Sequence, residues 1–124
     1  MGGTATQWIA HNATRGTVIA EQVALADSML RRLRGLLGTR TLPARHGLLL
    51  RPCRQVHSFL MQYALDLVFL DSDDRVLLTL PHFGTNRVSP LVRAAASVLE
   101  LPAGTLADTP AAVGDALRLE PHVH

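Results

Sequence analysis

Short apolar stretches, broken at brief intervals by glycine, proline, asparagine and aspartate, run through most of the chain. In residues 17–24 apolar and polar positions roughly alternate, which is the period of a strand with one covered face. Leu67-Val68-Phe69-Leu70 is continuously apolar and is followed by the turn Asp71-Ser72-Asp73-Asp74, so a hairpin is predicted there. The same reasoning predicts seven strands, at residues 7–11, 17–24, 47–51, 67–70, 75–80, 95–101 and 116–120.

Two segments have helical character. Asp27 or Ser28 can cap a first helix, because its side-chain oxygen accepts a free backbone N–H, and Gly38 can end it. Apolar residues recur between these ends at helical spacing, at Met29, Leu30, Leu33, Leu36 and Leu37. Residues 105–113 predict a second short helix that Pro110 weakens. The whole pattern predicts an α+β fold, with about seven strands in an antiparallel or mixed sheet that curls toward a barrel and two short helices packed on it.

The composition fits one globular domain over residues 1–124, with flexible tails at 1–5 and 121–124. Apolar residues make up 48% of the 124 residues and charged residues 18%, and this length leaves no room for two independent cores. Cys53 is the single cysteine, which excludes an internal disulfide and a four-cysteine zinc site and fits a reducing compartment. No secretory signal or membrane-length apolar run is present, so we expect a cytoplasmic protein that does not enter a membrane.

The basic charge is unevenly distributed. All twelve basic residues are arginines, and between Ser28 and Leu65 seven of them occur without any acid. Guanidinium groups pair with phosphates and carboxylates, so this stretch could bind an anionic small molecule. Charged residues are more often simply solvated at the surface, and that interpretation stays open.

The densest group of chemically reactive side chains lies in residues 52–61. Read as a strand, this segment places Cys53, His57, Phe59 and Met61 on one face. Cysteine, histidine and methionine are soft-metal ligands, but no second histidine stands at a suitable spacing, so we predict no metal and no cofactor. As nucleophile and base, Cys53 and His57 would lie about 13 Å apart on an extended strand, too far for a hydrogen bond, although in a turn they could meet. A buried, unreactive thiol is the simpler interpretation.

Two acids stand in apolar surroundings. Glu100 lies between Leu99 and Leu101, so it points to solvent if the strand has one covered face and is buried if both faces are covered. Asp66 precedes a very apolar strand and has the same ambiguity. His57, Asp66 and Glu100 are therefore the candidates for catalysis, with the histidine as general base and an acid to orient it. The chain has no nucleophile elbow, phosphate-binding loop or dinucleotide fingerprint.

Several short motifs occur together in one order along residues 17–119. They are Arg34-Gly35-Leu36-Leu37-Gly38, Gly47-Leu48-Leu49-Leu50, Pro52-Cys53, Val56-His57-Ser58-Phe59-Leu60-Met61, Leu65-Asp66-Leu67-Val68-Phe69-Leu70-Asp71, Val98-Leu99-Glu100-Leu101-Pro102-Ala103-Gly104 and Gly114-Asp115. Together they resemble the Domain of Unknown Function 192 family of bacteria and archaea. The resemblance implies a compact, strand-rich α+β fold and no accepted activity. It also implies a set of recurring polar positions, at Arg34, His57, Asp66, Glu100 and Asp115, with Met61 beside them. Asp115, which follows Gly114, is most simply a turn residue.

These residues support several hypotheses of function, and whether the chain is an enzyme stays open. The first is a non-enzymatic module that binds a small ligand or a protein partner in a polar pocket around His57, Arg34 and Glu100, with Ser58 and Met61 beside them. The alternative is a hydrolase or transferase that acts on an anionic small molecule, with His57 as general base. A structural protein that docks on a larger assembly is a third hypothesis. Nucleic-acid binding ranks last, because aromatic residues are only 4% of the chain.

Overall fold

The structure, a computed structural model, describes residues 7–26, 42–59 and 61–122. Its framework is one seven-stranded mixed sheet. The strands are β1 (Gln7–Asn12), β2 (Thr17–Ala26), β3 (His46–Leu50), β4 (Leu65–Leu70), β5 (Val76–Phe83), β6 (Ser97–Pro102) and β7 (Leu117–His122). Within the described residues there is one short helix, α1 (Thr105–Asp108).

The strands lie in the order β5-β4-β6-β3-β2-β1-β7. All neighbours are antiparallel except β2 and β3, which run parallel. The predicted strand-rich fold with a mixed sheet of seven strands is therefore confirmed. Residues 121 and 122, which were expected in a flexible tail, belong instead to β7, where Pro121 lies opposite Trp8 and His122 opposite Gln7.

The predicted curling into a barrel is not confirmed, because the sheet does not close. Its edge strands, β5 and β7, meet at one end, where Arg75 and Ala116 form an isolated antiparallel bridge. Beside this bridge the Val76 N–H donates to the Asp115 carbonyl at 2.9 Å, and the Gly114 N–H donates to the Val76 carbonyl at 2.8 Å. Beyond it, the described residues show no further pairing between the two edges, so one side of the sheet stays open.

The second predicted helix is shorter than expected. The sequence pattern predicts a helix over residues 105–113, whereas α1 ends at Asp108. Pro110 has no N–H, and its ring disfavours a helical conformation in the residue before it, so the helix cannot continue. Leu106 of α1 is buried in the core. The first predicted helix, residues 28–38, lies outside the described residues, and the expectation of two helices is therefore not confirmed.

Both faces of the middle of the sheet are buried. The first face carries a core cluster of Ala10, Ile19, Ala20, Val23, Leu49, Val68, Leu70, Val76, Leu99, Leu101, Leu106 and Leu117. The second face carries a cluster of Ala26, Leu42, Leu48, Leu50, Val56, Leu65, Leu67, Phe69, Phe83, Ala95 and Val98. Side chains alternate between the two faces along β3, β4 and β6, as successive strand residues do. At Gly47 on the first face, a Cβ would come within 3.3 Å of the side chains of Val23 and Leu101, so glycine permits the close packing.

The second face is covered by a ribbon of two segments, residues 53–59 and 87–96, which run antiparallel to each other. Backbone N–H groups donate across the ribbon from Cys53 to Ala96 (3.2 Å), from Val92 to Arg54 (2.9 Å), from Ser89 to Val56 (2.8 Å) and from Ser58 to Arg87 (2.8 Å). Val56 points inward and belongs to the second cluster. The segment 52–61 is not a regular strand. Among its described residues only His57 forms a β-bridge, and its partner is Val88.

A cluster of polar side chains attaches the β1–β2 turn to the segment before β7. Asp115 Oδ2 accepts hydrogen bonds from Arg15 Nε at 2.6 Å, from Asn12 Nδ2 at 2.9 Å and from the Ala112 N–H at 3.0 Å. Asn12 is fully buried and Asp115 is 6% exposed. The hydrogen bonds from Arg15, Asn12 and Ala112 lower the pKa of Asp115 from 3.8 to about 2. Asp115 is thus a buried anchor as well as a turn residue.

Replacing Asp115 with asparagine should remove a pH-dependent part of the stability. Because the folded pKa lies below the unfolded value, the ionised carboxylate stabilises the fold above about pH 4, and this contribution is lost as the pH falls toward 2. We expect Asp115→Asn to unfold about 1–3 kcal/mol more easily at pH 7. We also expect its free energy of unfolding to fall less steeply than that of the wild type between about pH 4 and 2. Urea unfolding at several pH values measures both effects.

The matched control is Asp108→Asn, at an exposed carboxylate at the end of α1. It should follow the wild type at every pH. Equal acid dependence in the wild type and Asp115→Asn would contradict the assignment of the low pKa to this cluster.

Candidate functional site

The residues predicted for a site occupy two layers of the structure. Glu100 and Asp66 lie on strands inside the sheet, on β6 and β4. His57 and Ser58 belong to the ribbon, and Met61, just beyond it, is half-buried against the second cluster. Arg34 lies outside the described residues. The convergence of Arg34, His57 and Glu100 stays a prediction.

Glu100 is a buried carboxylate on the second face of β6. Its partners on the neighbouring strands are Leu48 of β3 and Leu67 of β4, and both belong to the second cluster. Only 2% of Glu100 is exposed. The sequence alone does not decide whether Glu100 points to solvent or into the core. In the structure both faces of β6 are covered, so the side chain is buried. Burying a carboxylate in such surroundings costs several kcal/mol unless it is paired or neutralised. The Glu100 side chain on the second face therefore requires a partner or a proton.

Asp66 is fully buried and both its oxygens are engaged by backbone amides. Oδ1 accepts the His82 N–H at 2.8 Å, and Oδ2 accepts the N–H groups of Leu106 at 2.9 Å and Gly104 at 3.2 Å. His82 and Gly104 have φ angles of 53° and 98°, so both are in the turn conformation that glycine favours. Asp66 thereby fastens the end of β5 and the start of α1 to β4. This arrangement accounts for its burial without a ligand.

Ser58 has a similar anchoring arrangement in the ribbon. Its hydroxyl donates to the Gly84 carbonyl at 2.6 Å and accepts the Arg87 N–H at 2.9 Å. Its carbonyl accepts N–H groups from Asn86 and Met61, each at 3.1 Å. Ser58 is 1% exposed. Its polar atoms therefore join three parts of the backbone, and a hydroxyl used in this way has little capacity left for a ligand.

His57 lies at the outer side of the ribbon. Its neighbours Val56 and Ser58 are buried, and alternation along an extended backbone turns the intervening side chain the other way. The imidazole stacks on Phe59, with ring centroids 5.2 Å apart and an interplanar angle of 27°. His57 is half-buried rather than covered. The ring therefore lies on the outer side of the ribbon, against Phe59.

Cys53 lies in the ribbon, half-buried, and its thiol donates to the Gln55 carbonyl at 3.3 Å. In residues 7–26, 42–59 and 61–122, no group of three or more histidine, cysteine, aspartate or glutamate side chains is arranged to hold a metal ion. The helices in the described part of the chain also include none long and apolar enough to cross a membrane.

Two polar residues and a cleft have no clear signal in the sequence. Asn12 and Arg15 gave no recognisable motif, and an asparagine ending a strand before a turn is the one local signal of their role. A cleft of about 330 Å³ lies between β5 and α1, with Thr79, His82 and Leu106 among its walls. The carboxylate in its lining is Asp66, whose oxygens already accept three N–H groups. The polar side chains left in its lining are those of Thr79 and His82.

Replacing Asp66 with asparagine should destabilise the fold strongly. An amide side chain offers one acceptor oxygen to three buried N–H donors, and its own NH₂ group would face them. We expect the free energy of unfolding to fall by about 2–4 kcal/mol, measured by urea denaturation at pH 7. Asp73→Asn, at an exposed acid in the β4–β5 turn, is the control and should change it by less than about 0.5 kcal/mol. Wild-type stability in Asp66→Asn would show that the amides do not depend on the carboxylate.

Two solved structures share this fold. A chain from Sinorhizobium meliloti 1021, described as a "putative transcription regulator", has a TM-score of 0.74 and 24% sequence identity, covering 95% of this chain and 98% of that one. A protein of unknown function from Novosphingobium aromaticivorans DSM 12444 has a TM-score of 0.72 and 19% identity, covering 90% of this chain and 83% of that one. At these identities the likeness shows the fold alone. No curated protein matches the chain.

One family model matches most of the sequence. It is DUF192, described as "Uncharacterized ACR", and it spans residues 10–119, from within β1 into β7. The match includes Asp66, Glu100 and the whole ribbon. The function of this family is unknown, in agreement with the expectation from the sequence motifs. The chain belongs to the DUF192 family.

Proposed function

We propose that this chain is a module that binds an anionic small molecule, in a polar pocket around Glu100, His57 and Arg34 on the second face of the sheet. The observation that carries the proposal is the Glu100 carboxylate, which is 2% exposed between Leu48 and Leu67. Packing alone does not require a charge there, because an apolar side chain would cover the face without the desolvation cost. A carboxylate would repel an anion directly, so its role in the proposed pocket would be to hold the Arg34 guanidinium toward the ligand.

Arg34 is included in the proposed pocket because both residues that flank its segment in the described structure lie on the second face. Ala26 precedes that segment and Leu42 follows it, and both are buried in the second cluster. The segment thus leaves and rejoins the described structure on the face that carries Glu100. A guanidinium in the proposed pocket would pair with this carboxylate or with a bound anion, since its planar fork of donors matches either.

His57 lies on the outer side of the ribbon that covers this face, so it would border the pocket from the solvent side. Met61 packs against the second cluster and would supply an apolar wall. The Ser58 hydroxyl, engaged by Gly84 and Arg87, would hold the ribbon in place rather than touch the ligand. The proposed ligand-binding set is therefore built from the sheet, the ribbon and the segment that contains Arg34.

The hydrogen bonds that the Asp66 carboxylate already accepts favour a binding function over hydrolysis or group transfer. A general-base histidine needs an acid to orient it, and Asp66 and Glu100 are the two candidates. Both oxygens of Asp66 are used by backbone N–H groups of His82, Gly104 and Leu106. A binding site needs neither a nucleophile nor an orienting acid, so the described residues meet its requirements more simply.

A thermal-shift screen of the wild type against phosphate, sulfate, short dicarboxylates and mononucleotides tests the proposal. A ligand at a hundred times its dissociation constant adds about 2.7 kcal/mol, which raises Tm by about 10 °C in a domain of this size. We expect at least one such ligand. In His57→Ala and Glu100→Gln its shift should fall below about 2 °C, because these changes remove polar contacts in the pocket.

The controls are His46→Ala, at the start of β3, and Glu21→Gln, at an exposed glutamate of β2 that pairs with Arg45 at 2.7 Å. Both should keep the full ligand-induced shift. A ligand whose shift survives in His57→Ala and Glu100→Gln would place the binding site elsewhere and reject the pocket.

A further inference from the structure

The outer side of the ribbon carries apolar side chains in contact with water. Phe59, Val88 and Leu91 are 49%, 54% and 55% exposed. Ser58 and Ser89, the neighbours of the first two, are 1% and 3% exposed and point inward. Because side chains alternate along an extended backbone, Phe59 and Val88 point away from the sheet. A single exposed apolar residue is ordinary, but three on one ribbon form a patch that water does not favour.

Two contacts connect Phe59 and Val88 through His57. His57 and Val88 are bridged across the ribbon, and the side chains of a bridged antiparallel pair lie on the same side. The His57 ring then stacks on Phe59 at 5.2 Å between centroids. The backbone hydrogen bonds across the ribbon hold this surface in place, so it is preformed rather than assembled on binding.

The charged residues of the ribbon and the residues next to it have one sign. Residues 51–59 and 84–96 contain four arginines and no aspartate or glutamate. Arg51 pairs with Asp74 at 3.4 Å. Within residues 7–26, 42–59 and 61–122, no ion pair involves the other three arginines, which are Arg54, Arg87 and Arg93. All three are exposed, so the apolar patch is accompanied by positive charge that the described fold does not neutralise.

We propose that the outer surface of the ribbon is a docking site for an acidic segment of a partner protein that carries apolar anchor residues. Arginines form charge-assisted hydrogen bonds with carboxylates, and Phe59, Val88 and Leu91 supply the apolar centre that protein interfaces bury. The surface lies on the opposite side of the ribbon from the second cluster. It shares His57 with the pocket proposed above, but none of its exposed apolar residues or arginines belongs to that pocket.

Other occupants fit this surface less well. The segment 27–41 of the same chain contains four arginines and one acid, so its charge matches the surface in sign. A single-stranded nucleic acid needs aromatic rings for its bases, and Phe59 is the one aromatic among the three exposed residues. A membrane-binding element inserts its apolar face about 5–10 Å deep. Phe59, Val88 and Leu91 are about half covered and lie in a hydrogen-bonded ribbon, which suits contact with a protein surface better than insertion into a membrane.

Fluorescence anisotropy with two labelled synthetic peptides tests the inference. The acidic peptide alternates glutamate with leucine and phenylalanine, and the second peptide has lysine at every glutamate. We expect the acidic peptide to bind the wild type, and to bind the double variant Arg87→Glu and Arg93→Glu at least about tenfold more weakly. The lysine peptide should show the opposite preference, because the charge is reversed on both sides. This exchange of preference could not arise from unfolding of the variant.

The matched control is Arg118→Glu, at an exposed arginine of β7 outside the ribbon. It should bind the acidic peptide like the wild type, and so should Glu100→Gln, which separates this surface from the proposed pocket. Equal binding by the wild type and the double variant, or no binding of the acidic peptide, would overturn the inference. Binding of phosphatidylserine vesicles or oligothymidine in place of the peptide, lost in the double variant, would instead assign the surface to a membrane or to nucleic acid.

Discussion

The burial of both faces of β6 is the constraint on which the rest of the structure depends. A central strand with two covered faces needs apolar cover from both sides. The first face is covered largely by the sheet's own strands with Leu106 of α1, and the second by the ribbon. Each covering segment brings backbone amides that need hydrogen-bond partners. Asp66 and Ser58 supply them, which explains why polar side chains with 0% and 1% exposure stand beside the most apolar strands.

Three of the four buried polar residues discussed above anchor neighbouring backbone. Asp66, Ser58 and Asp115 lie at the end of a strand or in a connection, and each accepts N–H groups from a neighbouring loop. Glu100 lies in the middle of a strand, with Leu48 and Leu67 beside it instead of a loop. Burial is nearly complete in all four residues, but their positions along the strands differ.

Local patterns were sufficient to predict the strands, because alternation and turn residues act within a few positions. The β4–β5 hairpin is an example: Asp71 Oδ1 accepts the N–H groups of Asp73 and Arg75, as an aspartate before a turn commonly does. Contacts between distant segments decide whether the sheet closes, which path the ribbon takes and which way Glu100 points. No local pattern contains information about such contacts. For Asp115 the local pattern indicates a turn residue only, because its partner Arg15 lies 100 positions away.

The pairing of β1 with β7 has a consequence for synthesis of the chain. His11 of β1 and Glu120 of β7, whose side chains meet at 2.8 Å, are separated by 109 residues. At about 5–20 residues per second, a ribosome needs roughly 5–20 s to make the intervening chain. During that interval β1 has a vacant edge, and such edges attract other strands. Its partner on that side is among the last parts of the described chain to emerge, so the newly made sheet passes through a period of vulnerability to misassembly.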